Sequence, residues 1–153
     1  MAIEIFTDGS SRGNPGPGGF GTILRLGNHY KELSGGYRLT TNNRMELLGV
    51  IMGLESLKIP LSEVTVYSDS KYVVDSINLK WVFGWVKKDF KDKKNKDLWI
   101  RFLEIYKKHH VNFIWIKGHN AHPENERCDF LAVAAATGSR LEIDKGYENA
   151  LIN

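Results

Sequence analysis

Four carboxylates occupy positions in the sequence from which they could together hold a metal ion. Asp8 ends an alternating apolar run that is typical of a β-strand, and Asp69 ends a second, β-branched run. Glu46 falls in the first turn of a predicted helix, and Asp129 falls on the last predicted helix. Oxygen ligands select hard cations, and Mg²⁺ binds a few carboxylates together with water and substrate phosphate. These four acids are therefore candidate ligands of Mg²⁺.

Each acid also has an explanation that needs no metal. Asp8 could simply open the glycine-rich turn that follows it. Glu46 lies three residues after Asn43 and could be its capping partner, and Asp69 could be the N-cap of the helix that follows. Taken one at a time, these structural roles are the more common ones.

The predicted order of strands brings the acids together. If the strand that starts at Val64 lies beside the first strand and parallel to it, Asp8 and Asp69 emerge at the same edge of the sheet. Glu46 and Asp129 can then face the same point from two helices. Acids that meet at one point repel each other unless a cation joins them. Two Mg²⁺ ions about 3.5 to 4 Å apart could activate water and stabilise the leaving oxygen of a phosphodiester.

A basic segment with interleaved aromatic residues could bind the substrate of such a site. The net charge is +5 between Lys80 and Arg101 and −2 over the rest of the chain. Within this segment Trp81, Trp85 and Phe90 alternate with lysines. A solvated helix face is the commoner reason for a lysine run, but aromatic rings among cations are typical of a surface that binds nucleic acid. The segment therefore indicates a localised contact with a polyanion.

The periodicities predict an α/β fold in which helices pack on a mixed sheet of five strands. Three antiparallel strands come first, with Gly27-Asn28 as a hairpin signal, and the later strands run parallel to the first. The strands are predicted within 3–9 and at 19–26, 30–39, 64–68 and 111–116, and the helices between Asn43 and Pro60 and at 70–77, 97–108 and 123–137.

One domain accounts for most of the chain. It is predicted to cover residues 1–138 and to include a basic protrusion at about 80–96. Residues 139–153 show no periodicity, so we expect a loosely attached tail with Tyr147 as a docking point.

The composition fits a globular protein of ordinary size. The chain has 153 residues, of which 42% are hydrophobic, which is enough for a single core. A single cysteine, Cys128, excludes an internal disulfide, and the N-terminus lacks the pattern of a secretion signal. We therefore expect a soluble, cytoplasmic monomer.

The motifs around these residues resemble those of bacterial type 1 ribonuclease H. Five of them occur in the family's order and spacing over nearly the whole chain: Thr7-Asp8-Gly9-Ser10, Gly13-Asn14-Pro15-Gly16-Pro17-Gly18-Gly19, Thr40-Thr41-Asn42-Asn43-Arg44-Met45-Glu46-Leu47, Tyr67-Ser68-Asp69-Ser70, and Lys117-Gly118-His119 continuing through Asn125-Glu126-Arg127-Cys128-Asp129.

The resemblance implies a ribonuclease H-like fold and a defined reaction. The expected activity is endonucleolytic cleavage of the RNA strand of an RNA/DNA hybrid by two metal ions, leaving a 3′-hydroxyl and a 5′-phosphate. Mg²⁺ is the expected metal, with Mn²⁺ as a substitute. By the same resemblance Asp8, Glu46, Asp69 and Asp129 bind the metal. His119 assists proton transfer or product departure, with His122 close enough in sequence to compete for that role.

The resemblance also assigns the contacts to the hybrid. The protrusion would grip the DNA strand, the paired asparagines would lie in the minor groove, and a pocket would hold a DNA phosphate. The residues that match these positions are Asn14, Thr41, Asn42, Asn43, Trp81, Trp85, Lys87, Lys88, Phe90 and Asn95.

The chain departs from the family pattern at Leu39, at Lys71 and in the loop Asn120-Ala121, where small residues are common. Leu39 stands where many relatives have an arginine that grips the DNA phosphate, and Arg38 beside it points to the opposite face of its strand. Lys71 stands where glutamine is frequent. Neither the change at Lys71 nor the change in the loop touches the metal ligands.

Two other functions fit parts of the pattern. A non-catalytic module could bind hybrids with acids that only cap helices, and it would not cut RNA when Mg²⁺ is added. A related nuclease could act on DNA instead, and it would cut duplex DNA in preference to a hybrid.

Overall fold

The computed structural model describes residues 2–118 and 122–152, which form a mixed sheet with helices on both faces. The predicted α/β class and the order of the main elements are confirmed. The strands are β1 (Ala2–Ser11), β2 (Gly16–Leu26), β3 (His29–Thr40), β4 (Glu63–Ser68), β5 (His110–Trp115) and β6 (Leu141–Glu142). The helices are α1 (Asn42–Glu55), α2 (Lys71–Asn78), α3 (Trp81–Lys87), α4 (Lys96–Tyr106), α5 (Pro123–Thr137) and α6 (Lys145–Ile152).

The sheet has the strand order β5-β4-β1-β2-β3-β6. The first three strands pair antiparallel, whereas β4 pairs parallel with both β1 and β5. In the register between β1 and β4, Thr7 lies opposite Ser68. Asp8 and Asp69 each follow one of these two residues, so they meet at the same edge of the sheet, as the sequence predicts.

The predicted number of strands was wrong, because β6 adds a sixth. Its two residues pair parallel with Gly36 and Tyr37 of β3. A strand of two residues is too short to show an alternating pattern, and its pairing depends on a contact that is distant in sequence.

The expectation of a loosely attached C-terminal tail was also wrong. Asp144, between β6 and α6, is buried, and its carboxylate pairs with Arg44 at 2.8 Å. The hydroxyl of Thr40 donates to the same carboxylate at 2.6 Å. Buried charges are stable only when they are paired, so this contact fastens the end of the chain to the start of α1.

The two faces of the sheet bury different cores. Ile5 and Thr7 of β1 face α1, and the larger core lies on this side and includes residues of α2 and α4. Phe6 points to the opposite side, where it packs with Ile23 and with Cys128 of α5. β1 is therefore held from both faces by alternating side chains, which fixes the position of its end. Within the described ranges, none of the helices has both the length and the apolar character needed to cross a membrane.

Gly9 allows α1 to lie directly against the end of β1. A Cβ atom built at Gly9 would lie 2.9 Å from the Cα atom of Glu46 and closer still to backbone atoms of Met45 and Glu46. A helix backbone cannot move aside as a flexible side chain can. The glycine therefore sets the distance between Asp8 and Glu46.

We expect Gly9→Ala to lower the free energy of unfolding by about 1–3 kcal/mol, because the methyl group would push α1 from β1. Metal binding should weaken as well, since Asp8 and Glu46 would separate. Urea unfolding and metal titration measure these effects. Gly84→Ala is the matched control, because nothing lies within 4 Å of its Cβ position. Equal stability of the two variants would contradict the role of Gly9.

Candidate active site

Three of the four predicted acids converge at the edge of the sheet. Asp8, Glu46 and Asp69 each offer a carboxylate oxygen, and these oxygen atoms all lie within 4.8 Å of one another. Asp8 comes from β1, Glu46 from α1, and Asp69 from the residue that follows β4. The three positions are far apart in sequence, so the sheet and the packing of α1 create the cluster.

Other residues perform the capping roles that could have explained these acids. The side chain of Thr41 caps α1 by accepting from the backbone N–H of Arg44, so Glu46 lies beyond the first turn. The side chain of Ser70 caps α2 by accepting from the backbone N–H of Val73 at 3.2 Å. Glu46 and Asp69 are thus not held at these positions by the need to cap a helix.

The pKa values of two of these acids show the electrostatic cost of the cluster. Burial, followed by the negative charge of Asp69, raises the pKa of Asp8 to about 8. Burial, followed by the charges of Asp8 and Asp69, raises the pKa of Glu46 well above its ordinary value. The Oε1 atom of Glu46 is buried and accepts no hydrogen bond from any described residue. A bound cation would relieve both the repulsion and this unsatisfied oxygen.

The chemistry of these donors fits a hard divalent cation. Every donor is a carboxylate oxygen, and Asp69 is only partly buried, which leaves one side open for water or a substrate phosphate. Mg²⁺ prefers this combination of few protein ligands with water and phosphate over a closed cage.

Asp129 lies near this cluster but outside it. It is on α5, partly exposed, and its negative charge contributes to the raised pKa of Asp8. α5 packs on the opposite face of the sheet from α1, so Asp129 approaches Asp8 from the other side. This position suits a ligand that joins the site when a cation is present.

Of the two candidate histidines, His119 lies outside the described residues. His122 immediately precedes α5, and its ring centroid lies 5.4 Å from that of Phe6. Its Nδ1 atom is 3.6 Å from a carboxylate oxygen of Glu124. These contacts give His122 a packing role at the start of α5.

A groove at the start of α1, the helix that carries Glu46, contains several of the predicted substrate contacts. One part, of about 620 Å³, lies between the start of α1, α2 and α3. A second part, of about 820 Å³, extends from the start of α1 to α4 and α6. Predicted contacts in the first part are Asn43, Trp81, Trp85 and Asn95, and those in the second are Asn14, Thr41, Asn43 and Asn95. The shared residues make the two parts one continuous surface.

The remaining predicted contacts have different degrees of exposure. Lys87 and Lys88 are exposed at the end of α3 and just after it. Asn42 is half-buried, and its backbone N–H donates to the side chain of Asn14 at 3.0 Å. Phe90 is only 6% exposed and packs in the main core, so it supports the protrusion from beneath and does not line the groove.

Sequence reasoning missed residues that organise this groove. Tyr72 and Ser76 of α2 form part of its wall, and the hydroxyl of Tyr72 accepts hydrogen bonds from Asn95 at 3.0 Å and from Trp99 at 2.8 Å. The amphipathic spacing of α2 could have placed Tyr72 on a helix face, but no local pattern links it to Asn95.

The sequence analysis also did not predict the role of Arg44, although Arg44 lies in the motif that runs from Thr40 to Leu47. It is 3% exposed, and its guanidinium pairs with Asp144 and with Asp97 at the start of α4. It also donates to Asn95 at 3.4 Å. Arg44 therefore connects the start of α1, the end of the protrusion and the C-terminal segment.

Arg38 does not replace the arginine that is missing at Leu39. Its guanidinium makes two hydrogen bonds to Glu148 of α6, at 2.8 and 2.9 Å.

Without a divalent cation, we expect stability to fall as the pH rises from about 4 to about 8. The pKa of Asp8 is 3.8 as a reference and about 8 in the folded chain. Between these values the folded protein binds more protons than the unfolded chain, so the free energy of unfolding decreases with pH. Asp8→Asn removes this titration. Between pH 5 and pH 8 the free energy of unfolding of the variant should therefore decrease less than that of the wild type, by on the order of 1–3 kcal/mol.

Urea unfolding of both proteins in chelator measures the difference. A divalent cation should then stabilise the wild type more than the variant, because only the wild type keeps all the ligands. Asp75→Asn, on α2, is the control for the loss of one carboxylate. Parallel pH profiles of wild type and Asp8→Asn would contradict the raised pKa of Asp8.

Bacterial ribonucleases H are similar to this chain over almost its whole length. Ribonuclease H of Rippkaea orientalis is 51% identical over 152 residues, covering 96% of this chain and 93% of that protein. Ribonuclease HI of Pasteurella multocida is 52% identical over 151 residues, covering 95% of this chain and 96% of that protein.

Among solved structures, LC9-RNase H1, described as a type 1 RNase H with the type 2 active-site motif, has a TM-score of 0.79 and 31% identity, covering 99% of this chain and 81% of that chain. LC11-RNase H1 in complex with an RNA/DNA hybrid has a TM-score of 0.68 and 28% identity, covering 88% of this chain and 96% of that chain. A sequence model of the RNase H family matches residues 1–137. The resemblance to ribonuclease H expected from the motifs is thereby confirmed, and this chain belongs to the ribonuclease H family of metal-dependent nucleases.

Proposed function

We propose that this protein is an endonuclease that hydrolyses the RNA strand of RNA/DNA hybrids, using two Mg²⁺ ions and leaving 3′-hydroxyl and 5′-phosphate ends. The observation that carries the proposal is the convergence of Asp8, Glu46 and Asp69, whose carboxylate oxygen atoms lie within 4.8 Å of one another. A groove with aromatic and cationic residues at the start of α1 and α2 supports it. A relative solved in complex with an RNA/DNA hybrid supports the choice of substrate.

Each acid has a distinct place in the proposed reaction. Asp8 is central because it is buried on β1, which is paired on both sides, and because all three other acids affect its pKa. Glu46 and Asp69 approach it from α1 and β4, and Asp129 completes the ligands from α5. When bound, the metal ions supply an activated water and stabilise the leaving oxygen. Mn²⁺ has similar ligand preferences and would substitute for Mg²⁺.

His119 is proposed to assist proton transfer or the departure of the product. A neutral imidazole near its ordinary pKa can accept or donate a proton at the working pH. The packing of His122 against Phe6 favours His119 over His122 for this role.

The groove is proposed to hold the DNA strand. Trp81 is 49% exposed, and Trp85 lies in the same part of the groove, where both rings can pack against deoxyribose. Thr41 and Asn95 are proposed to bind a DNA phosphate, with Asn95 fixed by its hydrogen bond to Tyr72. Asn14, Asn42 and Asn43 would reach the minor groove, where the 2′-hydroxyl distinguishes RNA from DNA.

One copy of the chain carries all of these residues, so we propose that it acts as a monomer. The proposed catalytic domain spans residues 1–138 with the protrusion at about 80–96. Residues 139–153 extend it, since Asp144 pairs with Arg44.

Cleavage of RNA/DNA hybrid, double-stranded RNA and double-stranded DNA, each with Mg²⁺ and with chelator, tests the proposal. We expect only the hybrid to be cut, only in its RNA strand and only with the metal. Cutting of duplex DNA in preference to the hybrid would assign the chain to a DNA nuclease. Binding of the hybrid without cleavage would show that the chain is a non-catalytic binding module.

Asp8→Asn and Glu46→Gln should each lower kcat for the hybrid by at least about 10²–10³-fold, because each removes a negative ligand while keeping the side-chain shape. The control is Glu63→Gln, an exposed glutamate at the opposite end of β4 from Asp69. Steady-state kinetics measure the effect, and circular dichroism confirms the fold. An active Asp8→Asn variant would remove Asp8 from the mechanism.

The double variant Lys87→Ala/Lys88→Ala should raise KM for the hybrid more than it lowers kcat, because these exposed lysines would contact phosphate away from the reacting bond. Lys107→Ala/Lys108→Ala is the matched control, since these adjacent lysines are also exposed but follow α4 at the far end of the sheet. A fall in kcat without a change in KM would mean that Lys87 and Lys88 serve the transition state.

A further inference from the structure

An exposed lysine–tryptophan pair lies beside Asp69, on the side of the edge strand β5. Lys71 is the first residue of α2, and its Nζ atom lies 4.8 Å from the centroid of the Trp115 ring. Trp115 is the last residue of β5 and is 41% exposed. Its indole N–H donates to the backbone carbonyl of Asp69 at 3.1 Å. The indole is thus fixed to the same short segment that carries both the acid and the lysine.

The pair is not needed for what the rest of the site does. The groove proposed for the DNA strand is formed on α2 by Tyr72 and Ser76, not by Lys71. Successive residues on a helix point about 100° apart, so Lys71 faces β5 whereas Tyr72 faces the groove. Over residues 2–118 and 122–152, Lys71 makes no ion pair with a carboxylate. The Lys71 ammonium, which contacts the Trp115 ring but no described carboxylate, therefore keeps its positive charge available to an anion.

The position of the ammonium is more restricted than that of an ordinary surface lysine. A cation is attracted to the face of an indole ring, and the hydrogen bond to the backbone of Asp69 sets the orientation of that face. The chain that leaves β5 then passes close to the Asp69 carboxylate, since a Cβ atom at Gly118 would lie 2.8 Å from its Oδ2 atom. Asp69, Lys71 and Trp115 therefore form one surface on the β5 side of the acids.

We infer that Lys71, held in place by Trp115, binds a phosphate of the RNA strand next to the linkage that is cut. The inference rests on the proposed function, because the acids must meet the scissile phosphate of the RNA strand. With the DNA strand in the groove on one side of α2, the RNA strand crosses Asp69, and its neighbouring phosphate comes to the β5 side. A phosphate there pairs with the ammonium in a charge-assisted hydrogen bond. Trp115 is a positioning residue in this arrangement.

Lys71→Gln tests the contact, with Lys58→Gln as the matched control. Lys58 is exposed and follows the C-terminal end of α1, whose other end lies at the acids. For Lys71→Gln we expect KM for the hybrid to rise roughly 3- to 10-fold with kcat within about twofold. The slope of log(kcat/KM) against log salt should become less steep by about 0.7–0.9, because one fewer counterion is released. Lys58→Gln should change neither quantity.

Substrates with a single neutral methylphosphonate linkage identify the strand. One such linkage in the RNA strand, flanking the cleavage site, should weaken binding by wild type but have little further effect on Lys71→Gln. The same replacement in the DNA strand should weaken both proteins equally. Trp115→Leu should reproduce the smaller salt slope of Lys71→Gln, and the double variant should have the same slope as either single variant. If Trp115 had only a structural role, Trp115→Leu would leave the salt slope unchanged.

Three results would overturn the inference. In the first, the wild type cleaves hybrids, but Lys71→Gln has the same KM and the same salt slope as Lys58→Gln. This result would leave the proposed function intact. The second is coupling of Lys71 to a DNA-strand phosphate. The third is a wild type that does not cleave hybrids at all, which would overturn the proposed function together with the inference.

Discussion

The repulsion between buried carboxylates is the constraint on which this structure depends. Asp8 and Glu46 are both almost fully buried, and their raised pKa values arise first from that burial and then from neighbouring negative charge. A folded chain keeps such groups together only if the surrounding packing is strong enough to hold them. The parallel pairing of β1 with β4 and the close approach of α1 at Gly9 supply that packing. The same arrangement that costs stability in the absence of a cation creates the affinity for one.

Positively charged side chains surround the carboxylate cluster of Asp8, Glu46 and Asp69. Arg44 is two residues from Glu46 on α1, but its charge is paired with Asp97 and Asp144, so it connects the surrounding segments and is not free to pair with the carboxylate cluster. Lys87, Lys88 and Lys71 are exposed and make no ion pair with a described carboxylate. A polyanion is therefore attracted to the surface, while the negative centre is reserved for cations.

The sequence predicted the parts of the site that depend on local patterns. Asp8 and Asp69 were found because each ends a recognisable strand, and α5 was predicted with the bounds that the structure has, Pro123–Thr137, because a proline starts it and a glycine follows it. The capping residues were misjudged by one or two positions, since Thr41 and Ser70 stand beside equally plausible asparagine and aspartate residues. Contacts between distant segments could not be predicted. The burial of Phe90, the pairing of Arg44 with Asp144 and the short strand β6 each depend on residues that only the complete fold brings together.

The pairing of Arg44 with Asp144 has a consequence for the order in which the fold is completed. The two residues are 100 positions apart, so closing the loop between them costs more chain entropy than any hairpin of the sheet. The loop must close before such a contact can form, and α6 adds little packing that would keep it closed, since none of its described residues is buried. When the pair of Arg44 and Asp144 separates, the guanidinium keeps its contacts with Asp97 and Asn95. The start of α1 and the end of the protrusion then stay connected, but the C-terminal segment loses its tie to them. Residues 144–152 thus affect how rigidly the two parts of the groove are held relative to each other.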